Sequence, residues 1–322
     1  MQQLCDLLNI NYPIIQGGMG NISNAPLAAA VSEAGGLGTI GAGTMEPAEL
    51  EQKIVEAQSM TSRPIAVNIA IKVTPYLKEI VELVIKHDVP VVSLSAGNPA
   101  PLIPVFKEKG IKVITVTASV RQAVKAEQAG ADVIVAEGYE AAGINSNLEL
   151  TTMTLIPQIA AAVKVPVVAA GGIGDGRGLA AVLSLGASGV QMGTRLIATK
   201  EAPFHDAYKQ TLLEAKENDT VIVGRTVGKV RRVMNTPYAQ KLLESEKNGV
   251  SVEDFDQMTS EDYHKQGAIE GKLSEGFING GQVSGLIADL PTVKQLLTSM
   301  MEEAEARITS IRASFSTLRK NL

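Results

Sequence analysis

Eight times between Pro13 and Thr194, a short run rich in Val, Ile and Ala is followed by a helical pattern. The runs are "PIIQGGM" from Pro13, "GLGTIGAG" from Gly36, "PIAVNIAI" from Pro64, "VPVVSLSAG" from Val89, "KVITVTAS" from Lys112, "DVIVAEG" from Asp132, "VPVVAAGG" from Val165 and "GVQMGT" from Gly189. They are apolar throughout instead of alternating, as parallel strands covered on both faces are. Stretches such as "PAELEQKIVEAQSM", "PYLKEIVELVIKHD", "SVRQAVKAEQAGA" and "GRGLAAVLSLGA" lie between them. Several of these end near Gly, a frequent helix stop. Eight β-α units in succession predict an α/β chain folded as a (β/α)8 TIM barrel.

Beyond Thr199 the composition changes. "KQTLLEAKENDT" reads as the last barrel helix, and the charged stretch from Thr236 to Leu273 as a helical segment poor in strands. The expected organisation is a barrel core over 1–200, the last barrel helix and a smaller helical cap over the mouth across 201–288, and a C-terminal helix packed on the barrel over 289–322. In this fold the site lies at the C-terminal ends of the strands.

Composition removes several classes. A net charge of −5 offers no electrostatic surface for nucleic acid. Aromatic residues make up 3% of the chain and Trp is absent, so no stacking platform for single strands is expected. A single cysteine, Cys5, allows no disulfide framework within the chain and points to a reducing compartment. The opening "MQQLCDLLNI" has no signal-peptide pattern, and no long uncharged apolar run suggests a membrane span. A cytoplasmic protein is expected. No His/Cys/Asp cluster at ligand spacing suggests a metal.

The seventh and eighth strands end in "AAGGIGDGRG" and "GVQMGTR". Glycines let backbone N–H groups approach an anion, and the loops after these two strands are this fold's usual phosphate site. Gly171, Gly172, Gln191, Met192, Gly193 and Thr194 are therefore candidate phosphate and cofactor contacts. Arg195 either joins them or serves a barrel ion pair. "QGGMG" and "VNIAI" add Gly18, Met19 and Asn68, where a flat ring would meet backbone at one edge and an amide at another. Core packing is the competing role for Met19. Ser95, Asn98, Thr117 and Ser119 supply further polar groups at strand ends, some of them needed only by loop backbone.

The ordered set "YPIIQGGMG", "AGGLGTIGAGT", "RPIAVNIAI", "SLSAGNP", "DVIVAEGYEAAG", "VPVVAAGGIGDGRG", "GVQMGTRL" and "GGQVSGLIADL" resembles the nitronate monooxygenase family over nearly the whole chain. Within it the chain is most similar to flavin-dependent enoyl-acyl-carrier-protein reductase II. The resemblance implies non-covalent FMN reduced by NADH or NADPH, a small-molecule or acyl-carrier-bound substrate, and a homodimer. It puts the FMN phosphate on Gly171, Gly172, Gly193 and Thr194, and the ring near Met19, Asn68, Glu137 and Gln191. Two activities follow as expectations: reduction of an enoyl thioester, or oxidation of alkyl nitronates with O2. A flavin-binding barrel without turnover is a third.

One loop departs from the resemblance. The family reads Glu-Ala-Gly-Gly-His-x-Gly after the sixth strand, with the His as acid-base. This chain reads "EAAGINSN", and Ile144 stands at the His position. Asn145, Tyr139, Gln282 and Ser284 are the remaining catalytic candidates, and Glu140 reads as a loop anchor. Three histidines remain. His87 is expected on the surface and His205 in a structural role. His264 in the cap is read as a surface residue, with reach to the mouth as the alternative.

Overall fold

The computed structural model describes residues 1–320. Eight parallel strands form its main sheet: β1 (Ile14–Gln16), β2 (Gly38–Gly41), β3 (Ile65–Ala70), β4 (Val91–Ser95), β5 (Lys112–Thr117), β6 (Val133–Glu137), β8 (Val167–Ala170) and β9 (Gly189–Met192). A two-residue strand, β7 (Gly143–Ile144), lies between the sixth and seventh of them. The sheet runs β1-β9-β8-β6-β5-β4-β3-β2, and a parallel bridge from Ile15 to Leu37 joins its two ends. This is the expected (β/α)8 barrel.

Alternate residues of each apolar run face opposite ways, and both faces are covered. Val133, Val135, Ile114 and Val168 pack inside with Leu4 and Leu8 of the N-terminal helix Gln2–Leu8. Ile134, Ala136, Val113 and Val167 pack outward against the surrounding helices. Cys5 is buried in the inner cluster.

Local chemistry starts the helices where the chain turns back. Asn24, Ser119 and Asp175 each accept a bond from a backbone N–H of the first turn of the helix that follows. The long helix Val293–Lys320 packs on the helices Gly176–Ser184 and Ala25–Glu33. Those two helices flank the seam between β9 and β1, so the C-terminal helix fills the place of the barrel's eighth helix. "KQTLLEAKENDT" instead supplies the helix Asp206–Glu214, which packs under the turn Gln282–Leu286. Gly176 permits the close approach of the long helix, because a Cβ there would sit 2.5 Å from the Met300 carbonyl oxygen. The Gly176 N–H also donates to Glu303 at 2.8 Å.

The cap is not wholly helical. Strands β10 (Thr220–Val223) and β11 (Arg231–Met234) pair antiparallel, and β11 pairs with β7 through Arg231–Ile144 and Arg232–Gly143. The loop after the sixth barrel strand is thus stitched into the cap. Helices Pro237–Lys247, Val252–Met258 and Glu261–Ala268 complete it around Val223, Val233, Leu242, Phe255 and Phe277.

Candidate active site

A cavity of about 910 Å³ opens at the C-terminal ends of the barrel strands, under the cap. All ten residues expected to hold a cofactor line it: Gly18, Met19, Asn68, Glu137, Gly171, Gly172, Gln191, Met192, Gly193 and Thr194.

The floor at β8 and β9 is largely backbone. Gly171 and Gly172 both take positive φ, 96° and 76°, which glycine adopts without strain. A Cβ built on Gly193 would meet nothing within 4 Å, so this glycine faces open space. Thr194 Oγ1 accepts from the Gly281 N–H at 3.0 Å and so ties this end of the barrel to the cap. Arg195 turns away: it is 4% exposed and pairs with Asp289 Oδ1 at 2.6 Å and the Asp289 carbonyl at 3.2 Å. It is an ion-pair residue joining the barrel to the segment that leads into the C-terminal helix Val293–Lys320.

The opposite wall is polar side chain. Asn68 Nδ2 donates to the Ser93 carbonyl and to Ser95 Oγ, both at 3.1 Å. Its amide lies where a Cβ on Gly18 would be, so Gly18 makes room for Asn68. Met19 holds a left-handed backbone at φ 39°, uncommon for a residue with a side chain. Glu137 ends β6, and burial pushes its carboxyl up to about 7. Together these groups offer amide and carboxyl partners for a flat ring, with Glu137 beside the backbone of the β8 and β9 loops and Asn68 across the mouth on β3.

The catalytic candidates separate. Ile144 lines the cavity but is half-exposed and apolar. Asn145 lines it too, with its amide spent on the carbonyls of Ala141 and Gly143 at 2.9 and 3.2 Å. Tyr139, Gln282 and Ser284 do not line it. The Tyr139 hydroxyl accepts from Arg225 at 2.6 Å, Gln282 is exposed, and Ser284 Oγ is buried against the Gly281 carbonyl at 2.7 Å. Glu140 fastens the loop by accepting from the N–H and hydroxyl of Thr152 at 2.9 and 3.0 Å.

The histidines separate as well. His87 meets Glu51 at 2.7 Å on the outer helices. His205 accepts from the Ala207 N–H at the start of a helix. His264 is not a surface residue: it is 2% exposed, lines the cavity, and stacks on Phe277 with ring centroids 5.0 Å apart. Glu261, Arg231 and Asn279 line the cavity beside it. Sequence reasoning missed these three. For the burial of His264 itself one signal was present: His264, Gly267 and Ala268 fall on the buried stripe of their helix at i, i+3 and i+4.

The family model for nitronate monooxygenase matches residues 1–80 and 71–303. The chain belongs to the nitronate monooxygenase family. Across this family the structure of FabK from Thermotoga maritima is similar with a TM-score of 0.93 and 41% identity, covering 97% of this chain and 98% of that one. A probable nitronate monooxygenase of Staphylococcus haemolyticus is 34% identical over 96% of this chain and 99% of its own length. A Rhodococcus jostii relative is named as an octahydro-indene carboxyl-CoA dehydrogenase and is 32% identical over 96% of this chain and 97% of its own. Homologues in this family are oxidoreductases, so this chain is an oxidoreductase of the nitronate monooxygenase family.

Proposed function

We propose that the cavity binds FMN and that the protein is an NAD(P)H-dependent reductase of an activated C=C bond in an enoyl thioester. The observation that carries the reading is the donor set of the cavity. Gly171, Gly172 and Gly193 present backbone, Glu137 and Gln191 flank that floor through their pairing with Ala170, and Asn68 adds an amide from β3 across the mouth. That donor set fits a phosphate and the edge of an isoalloxazine. The likeness to FabK supports the reductase reading, and the relative named for a carboxyl-CoA substrate supports a thioester acceptor.

When bound, the flavin supplies hydride chemistry that no side chain offers. The chain's own residues bind, orient and exclude water. Asn68 is held rigid by its bonds to β4, and Glu137, with a carboxyl pushed up to about 7, presents a donor or an acceptor near neutral pH. Acyl-carrier-bound or coenzyme-A-bound acceptors both suit the open mouth.

Nitronate oxidation is the alternative, favoured by the names of the curated relatives. A position-144 Ile weakens it more than it weakens the reductase, because hydride transfer depends on stacked geometry and not on a base at that loop. An anaerobic series separates the readings. NADH or NADPH should bleach the flavin, and a crotonyl thioester should reoxidise it. Bleaching by propyl-2-nitronate alone would select the oxidase instead, and a flavin that nothing bleaches would leave a binding protein.

A further inference from the structure

Reduction of an enoyl thioester needs a proton as well as a hydride, and the loop that carries Ile144 has none to give. We propose that His264 is the acid-base residue of this cavity, delivered by the cap, with Glu261 and Asn279 as its positioning residues. The inference rests on the reductase reading above.

His264 is nine-tenths buried and opens onto the cavity. Its ring lies flat on Phe277, with 5° between the planes, which fixes the direction of both nitrogens. Nδ1 is 3.3 Å from Glu261 Oε2 and Nε2 is 3.1 Å from Asn279 Nδ2. Burial works against the charge on Glu261, but His264, Arg231 and the Asn21 N–H outweigh it and hold the carboxyl below its ordinary value. An ionised Glu261 assigns the proton of the neutral ring to Nδ1 and the lone pair to Nε2. Glu261 stands behind Nδ1, as in a catalytic His-carboxylate pair, and Nε2 meets the Asn279 amide, which lines the cavity and turns aside when Nε2 serves the acceptor.

Asn279 marks the place. Its Oδ1 is buried without a partner, and its amide lies beside the loop, 3.8 Å from a Cβ built on Gly143. The imidazole therefore enters from the cap at the wall where position 144 stands. Of the other titratable groups on the cavity, Glu140 is spent on Thr152 and the Tyr208 hydroxyl donates to the Asn279 carbonyl, while Glu137 lines it from the end of β6 and Lys125 from the helix Val120–Gln128. Arg231 lies over the Phe277 ring at 4.9 Å and, with Glu261, is the charge that faces His264.

The step balances as follows. Hydride originating in NAD(P)H forms the new C–H bond at the β carbon. The Nε2–H bond of the imidazolium breaks, and its proton forms the C–H bond at the α carbon. The C=C π pair is consumed, and the neutral ring regains a proton from solvent.

Four proteins test this: wild type, His264→Gln, Glu261→Gln and, as control, His87→Gln. Anaerobic stopped-flow should show all four bleached by NADH. Reoxidation by crotonyl-CoA should slow about 10²–10⁴-fold in H264Q alone. The pH limb of that step should vanish in H264Q and move in Glu261→Gln. Ring resonances of the flavin-free protein give a second readout: three histidines are present, and H264Q identifies the signal of interest. Crotonyl-CoA should shift that ring and leave His87 unmoved. Wild-type reoxidation rates in a flavin-loaded H264Q overturn the inference. If H264Q does not fold, an unmoved pH limb in E261Q together with an unperturbed ring overturns it. A wild type that crotonyl-CoA cannot reoxidise overturns the reductase reading itself, and the inference falls with it.

Discussion

At the scale of single residues, the cavity separates groups that touch a ligand from groups that make room for one. Gly18 is of the second kind, since a Cβ there would overlap the Asn68 amide. Gly18→Ala should displace that amide and lower FMN affinity by roughly tenfold or more while the barrel stays folded, as an FMN titration beside a thermal melt will show. Glu137 carries a pH signature. Its folded carboxyl is raised from 4.5 to about 7, so the folded state holds the proton more tightly than the unfolded chain. The contribution is fully present below 4.5 and is lost as pH rises through about 7. Glu137→Gln should therefore melt at a temperature that depends less on pH across that window, with a gain of roughly 1–3 kcal/mol at its upper end. Ile144→His should leave flavin content intact and alter turnover with an acceptor, and in H264Q it should restore part of the lost rate.

At the scale of elements, the barrel is joined to the segments that follow it at several points, among them the β7–β11 pairing, Gly281 to Thr194, Arg225 to Tyr139 and Arg195 to Asp289, and each has a different cost. Arg195 is buried and spans to Asp289, whose side chain is 71% exposed. Removing Arg195 leaves a void and unpaired carbonyls inside the joint, whereas Asp289→Ala removes an exposed partner and keeps the backbone bond at 3.2 Å. Arg195→Ala should destabilise the protein by about 3 kcal/mol and D289A by about 1 kcal/mol, measured by denaturant unfolding. Elements also mark the limit of what the residue pattern revealed. Every barrel strand was legible, because runs such as "VIVAE" must be apolar on both faces. The cap sheet was not, because "TVIV" and "RRVM" are four residues each and set among charges, although the Gly224 and Gly228 between them mark a hairpin. Strand β7 has no local signal at all, since it exists only where β11 lies beside it.

At the scale of the whole molecule, the fold brings the two ends of its sequence argument to one place. Cofactor candidates spread from Gly18 to Thr194 were readable one strand end at a time, because the barrel rule converts strand order into a shared mouth. His264 was not readable in that way. Its partners lie 15 and 3 residues off, its ring partner Phe277 lies in a later segment, and only the closure of the cap over the mouth gives the group a setting. The central claim is that this mouth holds FMN with its phosphate against Gly193. Gly193→Val tests it most directly, because the added side chain begins in open space and so obstructs only what binds there. Equilibrium titration of the flavin-free proteins with FMN should give at least about a tenfold weaker dissociation constant in the variant, with the flavin-free melting temperature unchanged. Equal affinity in the two proteins, or no FMN binding by the wild type, would contradict the account.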